Sequence, residues 1–260
     1  MRIHDGAYGT LLERHLHGDE TVDDLCLRAP SLVVDAHRAY VEAGAEAIQT
    51  NAFLAHLRGS DRRRRELRHG ALACAREAAG SGGVLVFATI GPAGGEPRAF
   101  WEAIEQALDE GVDGVLCETV TDAATARAFA AAWTEVAAGV QGVEVLLGCS
   151  VSPSAGRDRS SWLLDLASDL SEDLQLGVNC CEGPIGLRGV LEELAERRGA
   201  VWTMPSAGLP TIEAGGPPSW PLEEPARWAE AVLELVDDLP VHALGGCCGT
   251  RPASIAALAG

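Results

Sequence analysis

Two adjacent cysteines, Cys247 and Cys248, lie in a glycine turn near the end of the chain, directly after a short apolar run. A third cysteine, Cys180, also follows an apolar run, earlier in the chain. Catalytic zinc sites use three protein ligands and leave the fourth position open to water or substrate. An open position suits a substrate thiol, because zinc holds sulfur as thiolate at neutral pH. These residue types therefore favour a catalytic zinc site formed by Cys180, Cys247 and Cys248.

Two other interpretations of the cysteines are open at this point. The turn could be a plain glycine turn that buries two small residues, or the cysteines could form a structural disulfide. The chain begins at Met1 without a recognisable signal peptide, which predicts a reducing, cytoplasmic compartment. In such a compartment eight cysteines favour thiol or metal chemistry over disulfides. Whether other polar residues converge on the same place decides between these interpretations.

Charge excludes several classes of partner. The formal net charge is −18, and all twenty basic residues are arginine. Such acidity argues against nucleic acid and anionic membranes as partners. An arginine cluster at residues 62–65 falls in a helical segment, where a solvated outer face is favoured over a phosphate site. No apolar stretch approaches the roughly 18 residues that span a bilayer.

The hydrophobic pattern alternates short β-type runs with longer amphipathic segments, which is typical of repeated β-α units. Eight strands are predicted near residues 2–5, 47–51, 84–90, 114–118, 143–149, 174–179, 200–204 and 241–244. Eight units in 260 residues predict one (β/α)8 TIM barrel domain spanning residues 1–260. The alternative is an open doubly wound sheet, but no Gly-x-Gly-x-x-Gly fingerprint opens a helix.

Unusual residues cluster at the predicted carboxyl ends of the strands. Asp5 follows the first strand, Glu118 the fourth, Cys180 the sixth and the Cys247-Cys248 pair the eighth. Active sites of such barrels lie at this end. The first and eighth strands are neighbours in a closed barrel, which predicts that Asp5 lies beside the metal. A disulfide or packing role for the cysteines predicts no such convergence.

The chain resembles the homocysteine S-methyltransferase family over nearly its whole length. The motifs that carry the resemblance occur in the family's order: Asp5-Gly6-Ala7-Tyr8-Gly9-Thr10, Glu42-Ala43-Gly44-Ala45, Thr50-Asn51, Ile90-Gly91-Pro92, Cys117-Glu118-Thr119, Gly177-Val178-Asn179-Cys180, Pro205 with Ala207-Gly208, and Gly245 through Thr250. Within the family, Ser206-Ala207-Gly208-Leu209-Pro210 and Gly249-Thr250 look most like the homocysteine-binding barrels of cobalamin-dependent methionine synthases.

The resemblance implies a zinc-dependent enzyme that transfers a methyl group to the homocysteine thiolate, with Zn²⁺ bound by the three cysteines. It also implies a substrate site at Asp5, Gly6, Ala7, Glu118, Ser206, Ala207 and Gly208. Asp5 and Glu118 would pair with the substrate ammonium group; the alternative is that each caps backbone amides at a strand end. Asn51 and Asn179 are predicted to contact the residues that bind metal and substrate rather than the ligands themselves. Asn179 would orient the Cys180 loop through backbone hydrogen bonds.

The chain also departs from the family pattern. The insertion usual after Gly91-Pro92 is nearly gone, Ser206 replaces the usual asparagine, and Ala52 the usual threonine. The shortened segment leaves the rim open, which favours methylcobalamin on a separate corrinoid protein as methyl donor, with S-methylmethionine next. A different class of function is also open: a homocysteine- and zinc-binding module of a multi-protein methyl-transfer complex, inactive alone.

Overall fold

Eight parallel strands form the centre of the molecule. The structure is a computed structural model that describes residues 1–151, 161–212, 218–222 and 224–260. The barrel strands are β1 (Arg2–Ile3), β2 (Ala47–Gln49), β3 (Leu85–Ile90), β4 (Gly114–Val120), β5 (Glu144–Cys149), β6 (Gln175–Asn179), β7 (Val201–Met204) and β10 (Val241–Leu244). Their order is β1-β10-β7-β6-β5-β4-β3-β2, in which each strand pairs in parallel with its neighbour.

The sheet closes on itself between its two outer strands. A parallel bridge joins His4 to Ala47, supported by hydrogen bonds from Glu46 N to Ile3 O (2.7 Å) and from Asp5 N to Ala47 O (3.1 Å). The fold is therefore the (β/α)8 barrel that the alternation of elements predicts. The open doubly wound alternative is excluded, because its outer strands would not meet.

Helices cover the outside of the barrel. They are α1 (Tyr8–Leu12), α2 (Leu25–Arg28), α3 (Pro30–Glu42), α4 (Asp61–Ala79), α5 (Arg98–Asp109), α6 (Ala123–Val136), α7 (Ser161–Asp169), α8 (Arg188–Arg198), α9 (Pro225–Val236) and α10 (Pro252–Ala259). Local sequence sets several of their starts. The Ser60 and Asp122 side chains accept hydrogen bonds from the first turns of α4 and α6, and proline occupies the first position of α3, α9 and α10.

Two hydrophobic cores result from the closed sheet. A small cluster of residues such as Phe87, Leu116 and Trp202 fills the barrel interior, and a much larger cluster lies between strands and helices. The residues at the amino ends of the strands add an ion pair between Arg2 and Glu144, which lie on opposite sides of the barrel. The interior is therefore packed, and in barrels of this kind the active site lies at the carboxyl ends of the strands.

Sequence patterns predicted the eight barrel strands to within about three residues at each end. They did not predict the short helices α1 and α2, nor the antiparallel pair β8 (Thr211–Ile212) and β9 (Pro218–Ser219). These elements are too short to show a hydrophobic period. Among the described helices, none is long and apolar enough to cross a membrane.

Candidate metal and substrate site

Three thiols meet at the carboxyl ends of β6 and β10. The Sγ atoms of Cys180 and Cys248 are 3.5 Å apart, and with Cys247 all three sulfurs lie within 4.8 Å of one another. Cys180 follows the last residue of β6, and the Cys247-Cys248 pair follows β10. Within the described part of the chain this is the one group of three potential metal ligands. The convergence predicted from the strand ends is therefore confirmed.

The donor set fits a zinc ion. Tetrahedral zinc with sulfur bonds of about 2.3 Å separates its sulfurs by about 3.8 Å. The Cys180 and Cys248 sulfurs, 3.5 Å apart, lie near that value, and all three sulfurs lie within 4.8 Å of one another. All three cysteines keep some exposed surface, so a fourth ligand could approach from the mouth. The residues present thus fit a metal ion held by three thiolates with one position open.

The cysteine pair is held by the loops on either side of it. Cys247 N donates to Pro205 O (3.1 Å), and Ala207 N donates to Cys248 O (2.8 Å). From the other side, the Thr250 hydroxyl donates to Cys247 O (2.6 Å). Gly249 has a φ of +81°, and a Cβ there would lie 2.5 Å from the Trp220 ring. Only glycine fits this position, which allows two adjacent side chains to face one point.

Electrostatics couple the three thiols. Hydrogen bonds from Cys247 and Cys248 lower the pKa of Cys180, and the Ser206 and Thr119 hydroxyls lower it further. The same contacts with Cys180 raise the pKa values of Cys247 and Cys248. Deprotonation of one thiol therefore disfavours deprotonation of the other two.

Asp5 is fully buried at the end of β1. Its Oδ2 accepts hydrogen bonds from the Tyr8 hydroxyl (2.5 Å) and from Gln49 N (2.8 Å), whereas Oδ1 is buried without a partner among the described residues. Burial raises the pKa of the carboxyl to about 7, against the effect of those two donors. Asp5 O also accepts from Gly246 N (2.9 Å), which places this carboxyl beside the cysteine turn. Its free oxygen can accept one further donor.

Glu118 lies at the end of β4. Its Oε2 accepts a hydrogen bond from Asn179 Nδ2 (3.0 Å). Burial, together with the negative charges of Cys180 and Asp5, raises the pKa of Glu118 to about 8. Two carboxyls and three thiols thus share one partly closed space. Such a space favours a ligand that carries a positive charge.

The remaining predicted substrate residues lie around the cysteine turn. Several of their backbone groups form hydrogen bonds with residues of that turn. Ala7 N donates to the Thr250 hydroxyl (3.3 Å), and Gly6 packs so tightly that a Cβ would lie 2.7 Å from that hydroxyl. Both backbone groups of Ala207 already have partners: its N–H donates to Cys248 O, and its carbonyl oxygen accepts from Leu222 N (2.9 Å). Ser206 is buried beside Cys180, and Gly208 has a φ of +101°.

The two asparagines expected to support the site are placed differently. Asn179 contacts Glu118 and Thr119, so its amide orients the carboxylate side of the site rather than the Cys180 loop. Asn51 Nδ2 donates to Val22 O (2.8 Å) and contacts Cys26. Asn51 therefore ties the loop after β2 to the segment preceding α2, and its described bonds reach none of the three thiols.

Sequence reasoning missed the residues that hold Asp5. The Tyr8 hydroxyl, which bonds the carboxylate, lies 2.6 Å from His37 Nδ1, and His37 is fully buried on α3. Burial lowers the pKa of His37 to about 3, so the ring is neutral and shares a hydrogen bond with the hydroxyl through Nδ1. Tyr8 lies within the motif that follows β1, but no sequence signal shows that its side chain turns inward.

The other five cysteines are buried outside the cluster. Cys181, next to Cys180, points away from it: its thiol accepts from Val151 N (3.3 Å) and donates to Asn179 O (3.2 Å). Burial raises the pKa of Cys181 to about 12. This thiol is therefore inert, which makes it a natural control for its neighbour.

The fold and this geometry define a (β/α)8 barrel whose mouth holds a thiol cluster, a buried aspartate and a half-buried glutamate. The chain belongs to the homocysteine S-methyltransferase family, whose sequence profile matches residues 2–260. It is 31% identical to the methionine synthase of Mycobacterium tuberculosis over 98% of this chain and 24% of that protein. The corresponding values for the methionine synthase of Mycobacterium leprae are 29%, 97% and 23%. The chain thus spans about a quarter of the length of these relatives.

Solved structures share the fold. The oxidised form of the homocysteine methyltransferase MmuM from Escherichia coli superposes with a TM-score of 0.74 at 23% identity, over 99% of this chain and 94% of that one. Its metallated form gives a TM-score of 0.72 at 21% identity, over 100% of this chain and 95% of that one. At these identities the likeness establishes the barrel.

Proposed function

We propose that this barrel is a zinc-dependent homocysteine S-methyltransferase, which forms methionine. The observation that carries the proposal is the meeting of Cys180, Cys247 and Cys248 within 4.8 Å, beside the carboxyls of Asp5 and Glu118, in a chain of this family. The thiols supply a site for the metal, and the carboxyls supply a site for an amino group. A substrate that carries both a thiol and an ammonium group matches the two sites together.

The metal site consists of the three cysteine thiolates. Zinc bound there would supply Lewis acidity that keeps a substrate sulfur deprotonated at neutral pH yet nucleophilic. The protein's own contribution is to hold three thiolates at one point, through the Pro205 and Ala207 backbone and through Gly249. No general base is needed at the moment of transfer, because the thiol proton has already left.

The amino group of the substrate is bound by the carboxyls. Asp5 Oδ1, the buried oxygen without a described partner, and the Glu118 carboxylate would accept hydrogen bonds from the ammonium group. The turn at Ser206, Ala207 and Gly208, together with Gly6 and Ala7, would bind the substrate carboxylate. In the reaction a carbon–sulfur bond forms as the donor's bond to the methyl group breaks, and the donor keeps the electron pair.

The donor is proposed to be methylcobalamin carried by a separate corrinoid protein. Ile185 and Leu209, in the loops after β6 and β7, are exposed at 76% and 59% of their surface, and Leu209 borders a cavity of about 270 Å³ beside Cys180. Exposed aliphatic side chains around a mouth suit a protein partner. A small donor, S-methylmethionine, is the second candidate.

A second function rests on the short span of the chain relative to its methionine synthase relatives, 24% of the longer protein. The barrel could hold homocysteine and zinc for a multi-protein methyl-transfer complex and be inactive alone. The two functions share the binding site and differ in turnover.

A donor panel tests these proposals. Zinc-loaded protein and homocysteine are incubated separately with methylcobalamin, S-methylmethionine, S-adenosylmethionine, betaine and methyltetrahydrofolate, and methionine is measured. Methionine from methylcobalamin supports the favoured donor, whereas turnover with S-methylmethionine alone overturns it. Homocysteine binding without turnover from any donor favours the binding module. Absence of homocysteine binding would contradict both functions.

A further inference from the structure

The strand that carries Glu118 is irregular at that residue. Between β4 and β5, Cys117 pairs with Leu147 but Val120 pairs with Cys149, so β4 contains one extra residue across Glu118 and Thr119. Thr119 has a φ of +60°, a conformation that β-branched residues rarely adopt. Such a bulge redirects a side chain and leaves a backbone amide without its partner in the sheet. Another group must satisfy that amide.

The Asn179 side chain is that group. Its Oδ1 accepts from Thr119 N (2.9 Å), while its Nδ2 donates to Glu118 Oε2 (3.0 Å) and contacts Thr119 Oγ1 (3.3 Å). One buried amide thus holds both the irregular backbone and the carboxylate that the backbone carries. Both of its ends are used, which fixes the orientation of the amide.

Asn179 reaches Glu118 across an intervening strand. It belongs to β6, whereas Glu118 belongs to β4, and β5 lies between them. The path is open because residue 148 of β5 is glycine: a Cβ there would lie 2.6 Å from Asn179 Oδ1. Asn179 also directly precedes Cys180, which has a φ of +49°. Strained backbone on both sides of this amide is typical of a functional site.

We propose that Asn179 is a positioning residue that fixes the Glu118 carboxylate for recognition of the substrate amino group, through the opening that Gly148 leaves in the barrel wall. The inference rests on the proposed function, since it assigns Glu118 to the amino group of homocysteine. It predicts that Asn179 matters for a thiol that carries an amino group and hardly matters for one that lacks it.

The test measures binding rather than turnover. Homocysteine and 4-sulfanylbutanoate, which is homocysteine without its amino group, are titrated calorimetrically into zinc-loaded protein. Asn179→Ala should weaken homocysteine binding about tenfold, as is usual when a supporting hydrogen bond is removed, and change binding of 4-sulfanylbutanoate by less than about twofold. Thr203→Val is the control: Thr203 is also buried and bonds β6 through Val178 O (2.9 Å), and its replacement should leave both affinities unchanged.

A mutant cycle separates positioning from general damage. If Asn179 acts through Glu118, then adding Asn179→Ala to Glu118→Gln should cause no further loss of homocysteine affinity. Equal losses for both thiols, or additive losses in the cycle, would overturn the proposal while leaving the proposed function intact. Wild-type protein that does not prefer homocysteine over 4-sulfanylbutanoate would instead contradict the proposed substrate site.

Folding is checked by zinc content and by the thermal midpoint. Asn179→Ser, which leaves a smaller polar side chain, carries the same test if the alanine variant fails to fold. If neither variant folds, the amide is a determinant of folding rather than a positioning group, and the proposal is wrong.

Discussion

The thiol side and the carboxylate side of the barrel mouth are built in different ways. The cysteines at the ends of β6 and β10 converge because the backbone is shaped for it, with Gly249 in a left-handed conformation and two neighbouring loops bonded to the turn. Asp5 and Glu118 are bonded by other side chains, namely Tyr8 and Asn179. The thiol side is therefore held mainly by backbone groups, whereas the carboxylate side relies on side-chain hydrogen bonds.

The two sides also differ in what perturbs the pKa values of their groups. The three thiols shift one another's pKa values, because a thiolate on one disfavours a thiolate on the others. A bound cation would replace their protons and offset this repulsion. The carboxyls have raised pKa values mainly because they are buried. A ligand with a thiol and an ammonium group would bind the metal through its sulfur and the carboxyls through its ammonium group. Removing a thiol should thus eliminate the metal, whereas removing a carboxyl should weaken only the ligand.

The largest effect is expected on the thiol side. Replacing Cys180, Cys247 or Cys248 by serine should release zinc and abolish methyl transfer, since a three-thiolate site has no spare protein ligand. Zinc content per chain, measured by atomic absorption after dialysis, gives the result. Cys181→Ser is the matched control and should retain zinc, because its thiol points to Val151 and the Asn179 backbone. Full zinc occupancy in Cys247→Ser would refute the assignment of the ligands.

A smaller effect is expected on the carboxylate side. Glu118→Ala should weaken homocysteine binding by about 2–4 kcal/mol, since it leaves a desolvated ammonium group unpaired, while zinc stays bound. Calorimetric titration of zinc-loaded protein measures this loss. Binding of 4-sulfanylbutanoate should hardly change. Equal losses for the two thiols would mean that Glu118 supports the structure and does not recognise the amino group.

The pH dependence of binding sharpens the same comparison. An ammonium group binds carboxylates, and the pKa values of Asp5 and Glu118 are raised to about 7 and about 8. Both carboxyls are therefore largely protonated at about pH 6 and lose their protons as the pH rises. The preference for homocysteine over 4-sulfanylbutanoate should increase from about pH 6 to about pH 8. A preference that stays flat or declines over this range would contradict the role of the carboxyls.

The smallest effect is expected far from the mouth. Arg2 and Glu144 form a partly exposed ion pair at the amino ends of the strands. Exposed pairs contribute about 0–1 kcal/mol, so Glu144→Gln should lower the free energy of unfolding by no more than that. Urea titration measures the change. Because the pair lies at the opposite end of the barrel, homocysteine affinity should equal that of the wild type, in contrast to Glu118→Ala.

The same division separates what sequence could predict from what it could not. The apolar runs predict each barrel strand, and the residues that follow those runs predict that Cys180, Cys247 and Cys248 meet, because strand ends of a closed barrel share one rim. The supports of the carboxyls were not predictable in this way. Asn179 crosses a strand through the space at Gly148, and that path depends on strand register and on a bulge at Thr119. No local pattern encodes such a contact.

The central claim is that the three thiols hold zinc with one position free for the substrate sulfur. X-ray absorption at the zinc edge tests it most directly, on zinc-loaded protein with and without homocysteine. The account predicts three sulfur neighbours at about 2.3 Å and one lighter ligand in the free protein, and four sulfur neighbours after homocysteine is added. An unchanged zinc environment in protein that has bound homocysteine would contradict it.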